Sequence, residues 1–137
     1  MLAIRPLRDY DVVFLDLDLT LIDDGVMYQG AELLLNMLFR LNHGKRTVIM
    51  SVTPDNDAAR WEKRKSLGKF EPLYPVIFFE SDAQKLEFIR RYALKDDVIL
   101  DSDLNAVSGQ ICDTVWINCR DGYPLIDLVN HWRTETS

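Results

Sequence analysis

The sequence predicts an α/β protein with a doubly wound, mainly parallel five-stranded sheet and helices on both faces. Short apolar runs alternate with stretches of helical spacing along the whole chain, and this order favours right-handed crossovers between parallel strands. The runs lack polar alternation, which is typical of strands covered on both faces. With 137 residues, 47% of them apolar, the chain is expected to form a single domain over residues 1–137.

Each element follows from its own pattern. The predicted strands are 12–17 (VVFLDL), 47–50 (TVIM), 76–79 (VIFF), 98–100 (VIL) and 114–117 (TVWI). Three helices are predicted from apolar residues at helical spacing, namely Leu34, Leu38 and Leu41, then Leu86, Ile89 and Ala93, then Leu125, Leu128, Val129 and Trp132. A further helix is predicted to start at Thr53-Pro54-Asp55, although Ala58 and Trp61 give it only a weak apolar stripe.

Composition and charge argue against several classes of protein. The net charge of −6 argues against a general electrostatic grip on nucleic acid, although residues 60–69 (RWEKRKSLGK) carry five basic residues and one acidic residue. No apolar run approaches the roughly 20 residues of a transmembrane helix, and the charged first ten residues argue against a signal peptide. Cys112 and Cys119 lack the spacing of a metal or redox motif. We therefore expect free thiols in the cytoplasm or another reducing intracellular compartment.

Polar side chains follow four of the predicted strands. In chain order they are Asp16, Asp18 and Thr20, then Ser51 and Thr53, then Asp82 and Lys85, and finally Asp101, Asp103 and Asn105. Ligands of doubly wound sheets bind at the carboxyl ends of the strands. These residues therefore form the candidate site.

The carboxylates predict a divalent cation at this site. Asp16 and Asp18 lie within a run of leucines, where a charge is costly to bury unless a cation or ligand neutralises it. Asp101 ends another apolar strand in the same way. Converging carboxylates without His or Cys favour Mg²⁺ over Zn²⁺. Lys85 and the Ser51 hydroxyl would then suit a phosphoryl group.

The run VVFLDLDLTLI resembles the first motif of the haloacid dehalogenase superfamily, a hydrophobic strand followed by DxDxT, and is closest to the phosphatases of that family. Ser51 resembles its second motif, Lys85 its third and the loop at Asp101 its fourth, in the right order over about residues 11–117. The resemblance implies that Asp16 attacks a phosphoryl group to form an aspartyl-phosphate. It also implies that Asp18 protonates the leaving oxygen and then activates water.

The resemblance further implies a ligand set. Mg²⁺ would be held by the Asp16 carboxylate, the Asp18 backbone carbonyl and an acidic group of the fourth motif, for which Asp101 is the candidate. Asp103 and Asn105 are candidates to support this metal site, and Asn105 replaces the aspartate of the common GDxxxD pattern. The candidate phosphate-binding residues are Thr20, Ser51 and Lys85, with Thr53 as the alternative hydroxyl to Ser51.

The spacing of these motifs leaves no room for the cap domain that many members of the family carry. Asp16 to Ser51 is 35 positions, holding the turn Asp23-Asp24-Gly25 and one helix, and Ser51 to Lys85 is 34 positions. In that family a capless, open site goes with large substrates, so the resemblance implies a nucleic-acid end or a phosphoprotein as the substrate, or a nucleotide. Candidate substrate contacts in the basic segment are Arg60, Trp61, Lys63 and Arg64, with Trp61 stacking on a base.

Two other functions fit the same residue types. A phospho-acceptor domain of the response-regulator kind is also a small α/β protein with clustered aspartates, a hydroxyl residue and a lysine, but its acceptor aspartate follows the third strand and its lysine the fifth. A non-catalytic binding module could keep the fold.

Overall fold

The computed structural model describes residues 4–41, 46–118, 120 and 123–136. Its strands are β1 (Val13–Asp16), β2 (Ile22–Asp23), β3 (Val26–Met27), β4 (Thr47–Val52), β5 (Val76–Phe79), β6 (Val98–Asp101) and β7 (Asp113–Trp116). Its α-helices are α1 (Ala31–Arg40), α2 (Asp57–Lys65), α3 (Asp82–Tyr92), α4 (Leu104–Val107) and α5 (Leu125–Thr136). Short 3₁₀ turns cover Leu7–Asp9 and Gly68–Leu73.

Five strands form one parallel sheet in the order β5-β4-β1-β6-β7. From the central β1 the chain moves outward through β4 and β5, then crosses to β6 and β7 on the other side. The strand order therefore reverses beside β1, and a crevice is expected at the carboxyl ends there. The prediction of a parallel five-stranded α/β sheet is confirmed, and the architecture is Rossmann-like.

Helices cover both faces of this sheet, as predicted. Val13 and Leu15 of β1 pack in a core with α1 and α5 on one face. Phe14 packs in a second core on the opposite face, with α3 and α4. Because successive side chains of a strand point to opposite faces, Asp16 lies on the same face as Phe14.

The boundaries differ from the predictions in small ways that have local causes. β1 is one residue shorter at each end than predicted, β5 has the predicted bounds, β6 gains one residue and β7 is shifted by one. β4 continues to Val52 because its pairing with β5 reaches Phe79. The prediction that the second helix starts at Thr53-Pro54-Asp55 is wrong, since α2 begins at Asp57. Asn56 is the N-cap, and its side chain accepts a hydrogen bond from the Ala59 N–H at 3.0 Å, which fixes the start of the helix.

A hairpin follows β1. Asp24 and Gly25 connect β2 and β3 with φ values of 51° and 80°, the left-handed pair that a two-residue hairpin turn requires. The described residues between Asp16 and Ser51 otherwise form α1, and those between Ser51 and Lys85 form α2, the Gly68–Leu73 turn, β5 and the start of α3.

Two further predictions concern membrane-spanning segments and the cysteines. Within the described part of the chain, no helix combines the length and apolar character that crossing a membrane requires. Cys112 is buried and carries a free thiol, and burial raises its pKa to about 11. Cys119, the other cysteine of the free-thiol prediction, lies outside the described residues.

Candidate active site

Two buried carboxylates meet at the carboxyl edge of the sheet. β1 and β6 pair in parallel with Leu15 opposite Leu100, so Asp16 and Asp101 follow at the same level on adjacent strands. Both strands turn alternate residues to opposite faces, which places both aspartates on the face covered by α3. Asp16 is 3% exposed and Asp101 is fully buried.

Lys85 of α3 lies between these carboxylates. Its Nζ is 3.1 Å from Asp101 Oδ1 and 3.6 Å from Asp16 Oδ1. Burial lowers the pKa of Lys85, but the two carboxylates raise it by more, and the net shift is upward. The amine therefore stays charged, and one positive group faces two acidic groups.

The two acids are under-compensated by this single cation. Burial raises the pKa of Asp16 well above its usual range, Asp101 raises it further, and Lys85 opposes both effects. Burial also raises the pKa of Asp101 against the influence of Lys85. Within the described residues, the buried Asp101 Oδ2 accepts no hydrogen bond. A second positive charge beside this pair would be stabilising.

Asp18 lies at the mouth of the site, with 32% of its side chain exposed. Its Oδ2 accepts a hydrogen bond from Ser51 Oγ at 2.8 Å, and its Oδ1 accepts one from the Lys63 ammonium. The chain turns sharply here, because Leu19 adopts φ 61° and both Leu21 and Ile22 donate their N–H to the Leu17 carbonyl. This turn leaves Asp16 inside the sheet edge and Asp18 at the surface.

Ser102 is a site residue that sequence reasoning missed. Its Oγ is 2.6 Å from Asp16 Oδ2 and 2.8 Å from the Asp18 carbonyl oxygen. The Ser102 carbonyl in turn accepts a hydrogen bond from Trp116 Nε1 at 2.9 Å. A serine hydroxyl has one proton for these two acceptors, so a proton on Asp16 or a cation among these oxygens would complete the arrangement. The position of Ser102 directly after Asp101 was the available sequence signal.

Three groups with oxygen atoms at this edge are candidate ligands for a hard divalent cation. They are the Asp16 carboxylate, the Asp18 carbonyl and the unpartnered Asp101 Oδ2, and oxygen ligands without His or Cys suit Mg²⁺. Over residues 4–41, 46–118, 120 and 123–136, no group of three or more His, Cys, Asp or Glu side chains is arranged to hold a metal. The fit therefore relies on two carboxylates and a backbone carbonyl.

The predicted phosphate hydroxyls are engaged inside the protein. Thr20 is fully buried, and its Oγ1 donates to the Ile117 carbonyl at 3.2 Å and lies 3.5 Å from Asp16 Oδ2. Ser51 is also fully buried and donates to Asp18, while its oxygen lies 2.8 Å from Thr53 Oγ1. In this structure these hydroxyls position the two aspartates and do not line the cavity described below.

The basic segment is largely neutralised by acidic neighbours. Arg60 donates to the Thr53 carbonyl and pairs with Glu80 at 3.1 Å, and Arg64 pairs with Glu71 at 2.6 Å. Trp61 is 52% exposed. Of the four candidate substrate contacts, Lys63 is the one that reaches the site, where it binds Asp18.

A cavity of about 730 Å³ opens at this edge of the sheet. Asp16, Asp18 and Lys85 line it together with the supporting candidates Asp103 and Asn105. Asp103 Oδ1 caps α4 by accepting the Asn105 N–H at 2.9 Å, and the Asp103 N–H donates to Asp101 Oδ1 at 2.8 Å. The volume lies within the usual range for small-molecule sites of about 300–1,000 Å³.

Comparisons of the chain with protein-family models, curated proteins and solved structures found no match. They therefore assign no family and no activity to it. Its function has to be inferred from the side chains at this edge of the sheet.

Proposed function

We propose that the protein is a Mg²⁺-dependent phosphatase that hydrolyses a phosphomonoester through an aspartyl-phosphate on Asp16. The observation that carries the proposal is the pairing of buried Asp16 and Asp101 around Lys85, with Asp18 two residues further at the mouth of the same cavity. A surface turn or a helix cap would not need two acids and an amine buried together.

The residues suit a two-step reaction. In the first step an Asp16 carboxylate oxygen forms a bond to phosphorus, the bond to the ester oxygen breaks, and Asp18 gives that oxygen its proton. In the second step Asp18 takes a proton from water, and the water oxygen attacks phosphorus to release inorganic phosphate and the free Asp16 carboxylate. Asp18 is partly exposed and lines the cavity, so that a substrate oxygen and a water molecule can both come within hydrogen-bond reach of it.

The cation would be held by the Asp16 carboxylate, the Asp18 carbonyl and Asp101. When bound, Mg²⁺ supplies positive charge that offsets the phosphoryl oxygens. Lys85 adds a fixed positive charge to the same wall, and Ser102 keeps Asp16 and the Asp18 carbonyl together. Ser51 orients Asp18. In this scheme the phosphoryl group faces Lys85 and the exposed part of Asp18.

The test is hydrolysis of an aryl phosphate with and without Mg²⁺. We expect Asp16→Asn to lower turnover by several orders of magnitude, because the amide cannot act as the nucleophile. Asp18→Asn should lower it by about 10² to 10⁴-fold and allow a phosphorylated protein to accumulate, because leaving-group protonation and water activation both fail. Mass spectrometry of the intact protein detects the added phosphoryl group.

The outcome also separates the other two functions. A phospho-acceptor domain incubated with a small phosphodonor would accumulate a long-lived phosphorylated Asp16 and release little phosphate. A non-catalytic binding module would bind phosphate compounds without turnover. Asp16→Asn activity equal to that of the wild type would contradict the proposal.

A further inference from the structure

The cavity is larger than a phosphoryl group alone requires. It runs beside α3, which contributes Asp82, Ala83, Leu86 and Arg90 to its wall. These positions are spaced to share one face of the helix, and eight residues span about 12 Å along its axis. The wall therefore continues well beyond Lys85, where the proposed reaction takes place.

Arg90 adds a second cationic side chain to this wall. Within the described residues its guanidinium forms no ion pair and no hydrogen bond, whereas Lys85 is held by two aspartates. The remaining charged groups of the wall, Asp16, Asp18, Asp82 and Asp103, are acidic. An exposed guanidinium in such surroundings is available to a ligand, and it prefers anions with paired oxygens such as phosphate or carboxylate.

A second polar group faces the same space from α4. Asn105 lines the cavity, and its side-chain amide has no hydrogen-bond partner among the described residues. Its backbone is fixed, because its N–H donates to Asp103 Oδ1 at 2.9 Å. The amide can donate to an anion that Arg90 holds.

The distance between the two cationic positions is set by the helix. Arg90 follows Lys85 by five residues, which separates the two positions by about 7.5 Å along the axis and by about 140° around it. Both side chains lean toward the start of α3, as helical side chains do. Leu86 lies between them on the wall, so the stretch between the two polar positions is apolar.

We propose that Arg90 and Asn105 form a second anion subsite, and that the substrate is a small phosphomonoester whose leaving group carries a second phosphate or carboxylate beyond a short neutral spacer. This inference rests on the proposed function, since it places the reacting phosphoryl group at Asp16. A small dianionic molecule is favoured over a nucleic-acid strand because the net charge of the chain is −6 and Arg60 and Arg64 are paired internally.

The test compares propanediol bisphosphate, propyl phosphate and a dinucleotide with a terminal 3′-phosphate. Binding is measured by calorimetry on the Asp16→Asn protein with Mg²⁺, and kcat/KM on the protein with Asp16 intact. We expect the bisphosphate to bind about tenfold more tightly than propyl phosphate, the size of one charge-assisted contact. Arg90→Gln should bring the ratio of the two dissociation constants, propyl phosphate to bisphosphate, close to one. Arg90→Lys should restore part of this ratio.

Arg91→Gln is the matched control. Arg91 is the next residue on α3, is also exposed, and lies over the Tyr92 ring at 5.8 Å, on a different surface from the cavity. It should retain the full ratio. Circular dichroism of each variant tests whether the variant is folded, so that a loss of the affinity difference is not caused by unfolding.

The outcomes separate the subsite from the hydrolase proposal. A ratio that depends on Arg90 without turnover of any ligand would support the subsite and overturn the hydrolase. Turnover of both propyl compounds with equal dissociation constants and equal kcat/KM would overturn the subsite and leave the hydrolase in place. An Arg90-dependent advantage for the dinucleotide alone would overturn the assignment to a small dianionic substrate.

Discussion

At the scale of single residues, the site is organised by the competition between burial and charge. Asp16 and Asp101 are buried more deeply than ionised carboxylates usually are, and Lys85 compensates them only in part. Asp16 is expected to hold a proton over a wider pH range than a free aspartate. A cation that binds beside this pair would neutralise the excess negative charge and stabilise the folded protein.

The first prediction concerns the stability of Asp16→Asn. The pKa of Asp16 is raised in the folded protein, so the folded state holds more protons than the unfolded state. The free energy of unfolding should therefore fall as the pH rises from about 4 through the folded pKa of Asp16. Asp16→Asn removes the cost of burying an ionised carboxylate and should stabilise the metal-free protein at pH 8 by about 1–3 kcal/mol.

Urea unfolding at pH 4 and pH 8 measures this effect. Around pH 4 the carboxyl group is protonated in the folded state, and the gain from asparagine should be small there. Asp9→Asn, an exposed aspartate of the first 3₁₀ turn, serves as the control with no such pH dependence. A loss of stability in Asp16→Asn that is equal at both pH values would contradict the account of burial.

The second prediction concerns Lys63. Its substitution distinguishes two roles for the basic segment, positioning of Asp18 and contact with the substrate. If Lys63 positions Asp18, then Lys63→Met should lower kcat about tenfold with little change in KM, because the acid loses its orientation. Steady-state kinetics with an aryl phosphate give both constants. Lys65→Met is the control, since Lys65 is exposed on the same helix and pairs with Glu62 at 3.6 Å.

A rise in KM with unchanged kcat would instead identify Lys63 as a substrate contact. That result would favour the expectation that this segment grips a large substrate. The two readings assign the same amine to different partners, the Asp18 carboxylate or the phosphorylated ligand.

At the scale of elements, α2 and α3 support the site with different strength. α3 buries Lys85 and Ile89 against the sheet, whereas α2 has no buried residue. Three interactions hold α2 in place. Asn56 caps its first turn, Arg60 donates a hydrogen bond to the Thr53 carbonyl just after β4, and Lys63 forms an ion pair with Asp18. The helix should therefore open more easily than the rest of the molecule.

The third prediction follows from this difference. Asn56→Ala removes the cap of α2, worth about 1 kcal/mol, and should speed amide hydrogen exchange in α2 about fivefold without a comparable loss of global stability. Ser81→Ala removes the cap of α3, whose Oγ accepts the Gln84 N–H at 3.3 Å, and should lower global stability because α3 is part of the core. Equal global losses for both variants would show that α2 opens only with the whole domain.

The sequence predicted the elements of the site better than their contacts. Apolar runs ending in Asp16 and Asp101 predicted strands and a shared edge, and both are found. The contact of Ser102 with Asp16 joins residues 86 positions apart, and the sequence indicated it only through the position of Ser102 directly after Asp101. The ion pairs of Arg60 and Arg64 also depend on acidic residues brought near by the fold, and a cluster of cations in the sequence therefore overstated the free positive charge.

At the scale of the whole molecule, the sheet order explains why a distant set of residues forms one site. β1 is central, and the sheet continues in opposite directions from its two edges. Two separate cores fix it from both faces. Asp16 ends β1, whereas Lys85 and Asp101 belong to the β5–α3–β6 crossover, and the sheet order brings all three to one edge. Ligand binding at that edge would be coupled to the stability of the domain.

The last prediction uses this coupling to test the metal site without any substrate. Mg²⁺ at about ten times its dissociation constant should stabilise the protein by about 1.4 kcal/mol, which corresponds to a rise in melting temperature of several degrees for a domain of this size. The rise should be larger at pH 8 than at pH 5, because the raised pKa values of Asp16 and Asp101 make protons compete with the cation at low pH. Asp101→Asn should remove most of it, whereas Asp9→Asn should not. An equal rise in all three proteins at both pH values would mean that Mg²⁺ acts elsewhere on the acidic surface and that the unpartnered Asp101 oxygen has a different role.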